Sequence, residues 1–364
     1  MLYPSIFYLG ILILSFISVS YAGIPFFTPP LIQFGIRLTE NIAGDERFHR
    51  LRIEYALISV PVSMFLIALF VEFQRYLLSY SIVQFPVLEI AIQFGVYYYI
   101  RTKVRAVKDS FPKIESSNSK VTAVFQGGLA SVGIFLYLIP WIELVIFIVA
   151  GILLYPSMPD KLATHFALDG KPDSYQTKSF FSVFSLIVFI GIPATLIIQF
   201  ISWHSRSIPP THNPTSPMKS GMQMNGFNSK MVKTMFFLNI LILLTLFLNS
   251  LVIWGILSAS LIPLFIFPLI IFLFVVIIIF YISGQGGWKL YPGLHEHSSG
   301  NIMIDDDSKW IAGVIYHNRN DPFFLVPKRF GIGYTLNFSN VFSWLFITLI
   351  IFIPLLFILK NSLY

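Results

Sequence analysis

Apolar residues fall into eight long runs separated by polar stretches. The runs lie near Ile6 to Ala22, Tyr55 to Phe73, Ile82 to Ile100, Gly133 to Leu154, Phe180 to Ile201, Met235 to Trp254, Ile256 to Ile282 and Val341 to Leu359. About 20 apolar residues at 1.5 Å each match a hydrocarbon layer about 30 Å thick, so each run predicts a membrane-spanning helix. No positive residue precedes the first run and no clear cleavage site follows it, so it reads as a retained helix rather than a signal peptide. Met235 to Ile282 holds 48 residues, too many for one crossing, and Gly255 with Pro263 predicts a tight turn between two helices. Val121 to Val132, with Gln126, Gly127 and Gly128, is apolar enough to lie in the interface or re-enter the membrane, and reads as non-spanning. The expected class is all-α: a polytopic integral membrane protein of about eight transmembrane helices.

Composition agrees: 56% of the 364 residues are hydrophobic and only 11% charged, too little polar cover for a water-soluble globule. The net charge of +7 is a matter of placement. Of the 24 Lys and Arg, 19 sit in alternate connections, and Arg75, Lys161, Lys171, Lys178 and Lys360 make up the rest. Positive residues are held on the cytoplasmic side, so both termini are expected outside and nucleic-acid binding is not implied. Six regions follow: three spans with cytoplasmic loops over 1–132, a helical hairpin over 133–201, a flexible cytoplasmic loop over 202–234, a two-span hairpin over 235–282, a cytoplasmic domain over 283–340, and a last span and tail over 341–364. The loop reading rests on Ser202 to Ser229, rich in Pro, Ser, Thr and Asn without periodicity.

An ionised carboxylate in mid-bilayer costs about 2.5 to 3.5 kcal/mol, so buried acids invite attention. Glu89 lies within the third run with Gln93 one turn on, and Glu143 lies within the fourth, just after Pro140 and Trp141. They read either as protonated groups hydrogen-bonded between helices or as a proton relay or cation site. Glu72 beside Arg75 reads as an interfacial ion pair. Pro61, Pro140, Pro193, Pro268 and Pro354 remove backbone donors and can kink their helices. His295, His297, Asp305, Asp306 and Asp307 lack the histidine spacing of a zinc hydrolase and read as a solvated polar loop. There is no cysteine, phosphate-binding loop or serine elbow, so no enzyme, metal or cofactor is expected.

Two segments resemble known domains. Tyr155-Pro156-Ser157-Met158-Pro159-Asp160, continuing through Thr164-His165-Phe166 to Gly170-Lys171-Pro172-Asp173 and Lys178, resembles the domain of unknown function in bacterial SdpI-type immunity proteins. From the residues alone this outer segment is either a structured cap on a helical hairpin or a recognition surface. The second string holds Trp310, Gly313, Tyr316, Asn318, Asp321, Pro322, Val326, Pro327, Lys328, Arg329, Phe330, Gly331, Gly333, Thr335 and Asn337. It resembles a short cytoplasmic domain, also of unknown function, that follows the first in bacterial multi-pass proteins. There Lys328 and Arg329 suit anionic headgroups, and Phe34-Gly35-Ile36 echoes Phe330-Gly331-Ile332.

The resemblance implies a bacterial cell-membrane protein that protects against a secreted toxic peptide and holds a transcriptional repressor at the membrane. Its partners would be the lipid bilayer, a secreted peptide or another membrane protein, and a cytoplasmic repressor. SdpI-type proteins are shorter, and the first three spans and the final cytoplasmic domain are additional here. A small-solute or ion transporter, or a permease-like subunit, using Glu89 and Glu143 is the alternative from a different class.

Overall fold

The computed structural model describes residues 4–73, 81–112, 133–166, 171–205, 208, 217–293 and 306–362. In chain order it has α1 (Pro4–Phe27), β1 (Ile32–Gln33), β2 (Ile36–Arg37), α2 (Glu40–Ala43), α3 (Glu46–Phe73) and α4 (Ser81–Asp109). Then come α5 (Ile134–Leu154), β3 (Lys161–Phe166), β4 (Pro172–Thr177), α6 (Phe180–Val183), α7 (Ile192–His204), α8 (Pro217–Ile253) and α9 (Ile262–Ser283). The chain closes with β5 (Trp310–Ile311), β6 (Ile315–Tyr316), β7 (Leu325–Pro327), β8 (Tyr334–Leu336) and α10 (Val341–Ser362). The strands pair two by two, β1–β2, β3–β4, β5–β6 and β7–β8, each pair an antiparallel ribbon.

Six helical segments among the described residues are long and apolar enough to cross a membrane: Phe7–Phe27, Glu46–Phe73, Phe135–Ser157, Ile187–His204, Met218–Ile253 and Ala259–Gly287. The chain is thus mostly helical and fits a multi-pass membrane protein. Two expected spans fall outside this set. α4 has the length, but Gln84, Glu89, Gln93 and Tyr97 to Tyr99 interrupt its apolar character. The apolar part found in α10, Val341–Phe352, is shorter. Large apolar side chains such as Leu57, Phe65, Phe135, Leu153 and Ile278 point outward and exposed, as lipid-facing helices require.

Packing divides the helices into two groups, α1 with α3 and α4, and α5 with α7 and α8; α9 lies between α1 and α8. Close approach within the first group depends on Gly10, where a Cβ would stand 2.4 Å from the Phe70 ring. The fifth predicted run does not fold as one α-helix: a π-turn over Ile187–Gly191 precedes Pro193, which lacks the N–H that would continue the ladder. Pro61, Pro140 and Pro268 lie inside α3, α5 and α9. As expected, Gly255 at φ +74° turns the chain from α8 toward α9.

The flexible loop expected over Ser202 to Ser229 is replaced by helix from Pro217 onward. Proline is suited to a first helical turn, and Met218, Lys219, Met222, Gln223 and Met224 are good helix formers. Tertiary contacts outweigh Gly221 and Gly226: Met224, Phe227 and Met231 are buried against Phe324, Leu325 and Phe280. At 37 residues α8 is roughly 55 Å long. It joins two poles, one bearing the β3–β4 ribbon and one bearing the other three ribbons. Val121 to Val132 lies outside the described residues.

Candidate functional site

At the hairpin pole, β3 and β4 pair from Lys161 opposite Thr177 to Phe166 opposite Pro172, with register irregularities on both sides of His165. The base is firmly seated. Met158 and Leu162 are buried with Val183 and Trp254, and the Trp254 indole Nε1 donates to Val183 O at 3.2 Å. Tyr155 stacks on Phe180 at 4.7 Å between centroids. Lys178 Nζ donates to Met158 O at 2.8 Å, lies 3.6 Å from Asp160, and sits 5.4 Å over the Tyr155 ring. Pro159 packs on Gly255, and Pro156 belongs to the 3-10 turn Tyr155–Ser157.

The distal arm is open. His165 Nδ1 meets Asp173 Oδ1 at 2.5 Å, with 70% and 46% of these side chains exposed. Of the expected recognition residues, Tyr155, Pro156, Pro159 and Asp160 therefore build the base, while His165, Phe166 and Asp173 lie on the arm; Gly170 falls outside the described residues. Tyr175, 52% exposed on β4, is missing from the sequence reading. Its signal is the alternation of exposure along Pro172–Thr177, visible only once a strand is assigned.

Within the first helix group Glu89 is fully buried, and its Oε1 accepts from Ser18 Oγ of α1 at 2.6 Å and Ser63 Oγ of α3 at 2.8 Å. Gln93 Nε2 donates to Ser59 O at 2.9 Å and Ser63 Oγ at 2.7 Å, while Ser59 Oγ donates to Gln93 Oε1 at 2.7 Å. Glu89 Oε2 is buried with no hydrogen-bond partner among the described residues. Ser59 and Ser63 stand one turn apart on α3, as Glu89 and Gln93 do on α4, so two matched rows face each other. The serines were legible as a spacing but gave no sign of their partners. Glu143 sits on α5, in the other helix group, and its Oε2 is likewise unpartnered among the described residues. The structure does not bring the two acids into one site. Arg75, expected beside Glu72, falls outside the described residues.

The opposite pole is built on two glycine turns lying face to face. Phe34-Gly35 joins β1 to β2 and Ala312-Gly313 joins β5 to β6, all four at positive φ. The first is a tight two-residue hairpin, whereas Val314 makes the second a three-residue loop. A Cβ on Gly35 would stand 2.7 Å from Gly313 Cα. The Tyr97 hydroxyl lies 3.1 Å from Phe34 O and 2.9 Å from Ala312 O, and Arg101 Nη1 donates to Phe34 O at 2.6 Å. The Phe34 and Phe330 rings both pack on Tyr97, so the short sequence echo corresponds to two rings sharing one tyrosine.

Beside these turns Arg37 Nε donates to Asp306 Oδ1 at 2.7 Å, and Arg329 bridges Asp306 and Asp307, reaching Asp307 Oδ1 at 2.5 Å. Asp307 also accepts from Arg37 N at 3.0 Å and from Lys108 Nζ at 2.7 Å. Burial opposes ionisation of both carboxyls, but Arg37 and Arg329 around Asp306, and Arg329 with Lys108 around Asp307, outweigh it and hold both below the ordinary carboxylate range. Burial likewise pulls the Arg37 guanidinium down, against the pull of its carboxylates.

Asp306 and Asp307 thus depart from the solvated loop expected of them, because cations from three distant segments converge on them. His295, His297 and Asp305 fall outside the described residues. Arg329, only 2% exposed, is also a correction: it is engaged with carboxylates rather than presented to headgroups. Arg37 and Lys108 are functional partners the sequence did not reveal, since they lie 269 and 199 residues from their carboxylates with no local motif.

Asn337 is fully buried and organises the turn before β7: its Nδ2 donates to Asn318 O at 2.9 Å and Asp321 O at 3.2 Å, and its Oδ1 accepts from Asn318 N at 3.1 Å. Tyr316 donates its hydroxyl to Asp321 Oδ2 at 2.9 Å and packs on Trp310 at 4.9 Å; burial pushes that phenol up to about 12. Among the described residues no group of three or more His, Asp or Glu could hold a metal ion.

No curated protein and no solved structure matches the chain. Two stretches match described families: residues 143–191 a domain of unknown function (DUF1648), and residues 319–344 a family of unknown function (DUF5808). The first spans the C-terminal half of α5, the β3–β4 ribbon and the π-turn; the second spans β7 and β8 and enters α10. With the apolar helices, these two domains fit a multi-pass membrane protein.

Proposed function

We propose that this chain is a bacterial plasma-membrane protein of eight spans with both termini outside, and that it recognises a peptide or another membrane protein through the β3–β4 ribbon, in peptide-toxin immunity or envelope-stress signalling. The observation that carries this reading is a two-stranded ribbon fixed at its base and open at its arm. Both outer edges of such a ribbon present unpaired backbone groups, which an extended peptide can extend by strand addition. Tyr175 and the His165–Asp173 pair supply side-chain selectivity on that arm. The concentration of Lys and Arg at the other pole supports its cytoplasmic placement, where the ribbons anchor or relay, and where a repressor would dock.

Cells lacking the gene should become sensitive to a cognate secreted peptide, and a His165→Ala, Asp173→Ala, Tyr175→Ala triple variant at normal protein level should reproduce that sensitivity. Equal survival of deletion and parent across a panel of such peptides refutes the reading. A second reading, small-solute or ion transport, is favoured by the Oε2 atoms of Glu89 and Glu143, which are buried without a hydrogen-bond partner among the described residues. Solute or proton flux into proteoliposomes that disappears on Glu89→Gln would establish it.

A further inference from the structure

We propose that the cleft between Trp310, Tyr316 and the Lys328-Arg329 pair binds a phosphate-bearing anion, with Lys328 as its principal cation. The cleft is partly open, about 490 Å³ including its mouth, and Gln285 at the end of α9 and Arg37 of β2 complete its walls. It carries three cations against two carboxylates, Asp306 and Asp321. These carboxylates are already occupied: Arg37 and Arg329 hold Asp306, and Asp321 takes the Tyr316 hydroxyl and, at 3.0 Å, Phe323 N.

Lys328 is different. Its backbone is tied down, N–H to Gly333 O at 2.9 Å and carbonyl to Gln285 Nε2 at 3.1 Å, so its side chain is held at the cleft wall. Its ammonium has no hydrogen-bond or ion-pair partner among the described residues, and burial pulls the amine below its ordinary value. Beside it Arg329 Nε is buried and also without a partner. A partly buried cation lacking a counter-charge carries some desolvation cost, and that cost falls when an anion arrives.

Phosphate fits these leftovers better than a further carboxylate side chain would. Its several acceptor oxygens suit a compact ammonium that is not committed to bidentate geometry. The Trp310 and Tyr316 rings give an apolar wall for whatever the phosphate carries. The cleft lies next to the ends of α1 and α9, where Pro29 and Gln285 line it; a lipid headgroup and a soluble phosphate would present the same chemistry to it.

The test uses the full-length chain, delipidated in neutral detergent. One arm titrates inorganic phosphate and follows 31P line broadening; the other adds phosphatidylglycerol and follows retained lipid by native mass spectrometry. In both, acetylation of lysines is mapped with and without the probe. Binding in at least one arm is expected, with slower acetylation at Lys328 and unchanged acetylation at Lys161. Lys328→Gln should weaken that binding about tenfold or more, and Lys328→Arg should retain most of it. Lipid binding alone assigns a headgroup, and phosphate binding alone a soluble ligand. Wild-type protein that binds neither, or binding that leaves Lys328 unprotected, overturns the proposal even where the variants do not fold.

Discussion

The ribbons at the two poles use the same element for opposite ends. On β3–β4 the polar pair, His165 with Asp173, stands largely in water, and the hydrophobic anchors lie only at the base. At the other pole Arg329 is 2% exposed and is bound to carboxylates that also hold Arg37 and Lys108. Exposed charge can be exchanged at little cost to folding, whereas buried charge binds its partners to one arrangement. The hairpin pole is therefore free to carry specificity, and the basic pole fixes how the helix ends meet.

Substitutions that separate the two poles rank by size. Arg329→Ala leaves Asp306 and Asp307 short of a counter-charge and should cost about 3–5 kcal/mol, read as a large fall in melting temperature in detergent. A comparable loss from His165→Ala would erase the contrast. Gly313→Ala should come next: φ is +73°, and its Cβ would stand 2.5 Å from Arg101 Nη1 and 2.8 Å from Gly35 Cα. Backbone strain alone is worth about 1–3 kcal/mol there, again visible in thermal melts.

Acid should act on the basic pole through its carboxylates. The folded protein holds Asp306 and Asp307 below their ordinary value, so in the acid range it binds fewer protons than the unfolded chain. That contribution is present in full above about pH 4 and is lost as pH falls through the folded values. Melts of wild type and Asp306→Asn, followed from neutral pH into the acid range, should show a shallower acid loss in the variant. Glu89→Gln keeps an acceptor for Ser18 and Ser63 and should change stability by less than about 1 kcal/mol. His165→Ala comes last, within about 0.5 kcal/mol of wild type by the same melts.

The helices are legible in the sequence because lipid imposes a length and a composition on each one. The positions of Glu89 and Gln93 on one face are equally legible, since helical spacing fixes them. Their hydrogen bonds with Ser18, Ser59 and Ser63 are not, because these depend on which helices pack together. The same limit hides Arg37 and Lys108 from Asp306 and Asp307. The 217–229 segment misleads for another reason: its helix is stabilised by burying Phe227 and Met231 on β7, a contact no local pattern records. The ribbon β3–β4 escapes helical periodicity altogether, and only its Pro and Gly punctuation marks it.

The length of α8 has a mechanical consequence. Near its start Gln223 Nε2 donates to Trp288 O at 3.0 Å, Asn228 accepts from Tyr334, and past its end Trp254 wedges beneath the ribbon with Met158 and Leu162. A continuous helix seated at both tips ties the two poles together, so the placement of the ribbon and that of the Tyr334 contact are not independent.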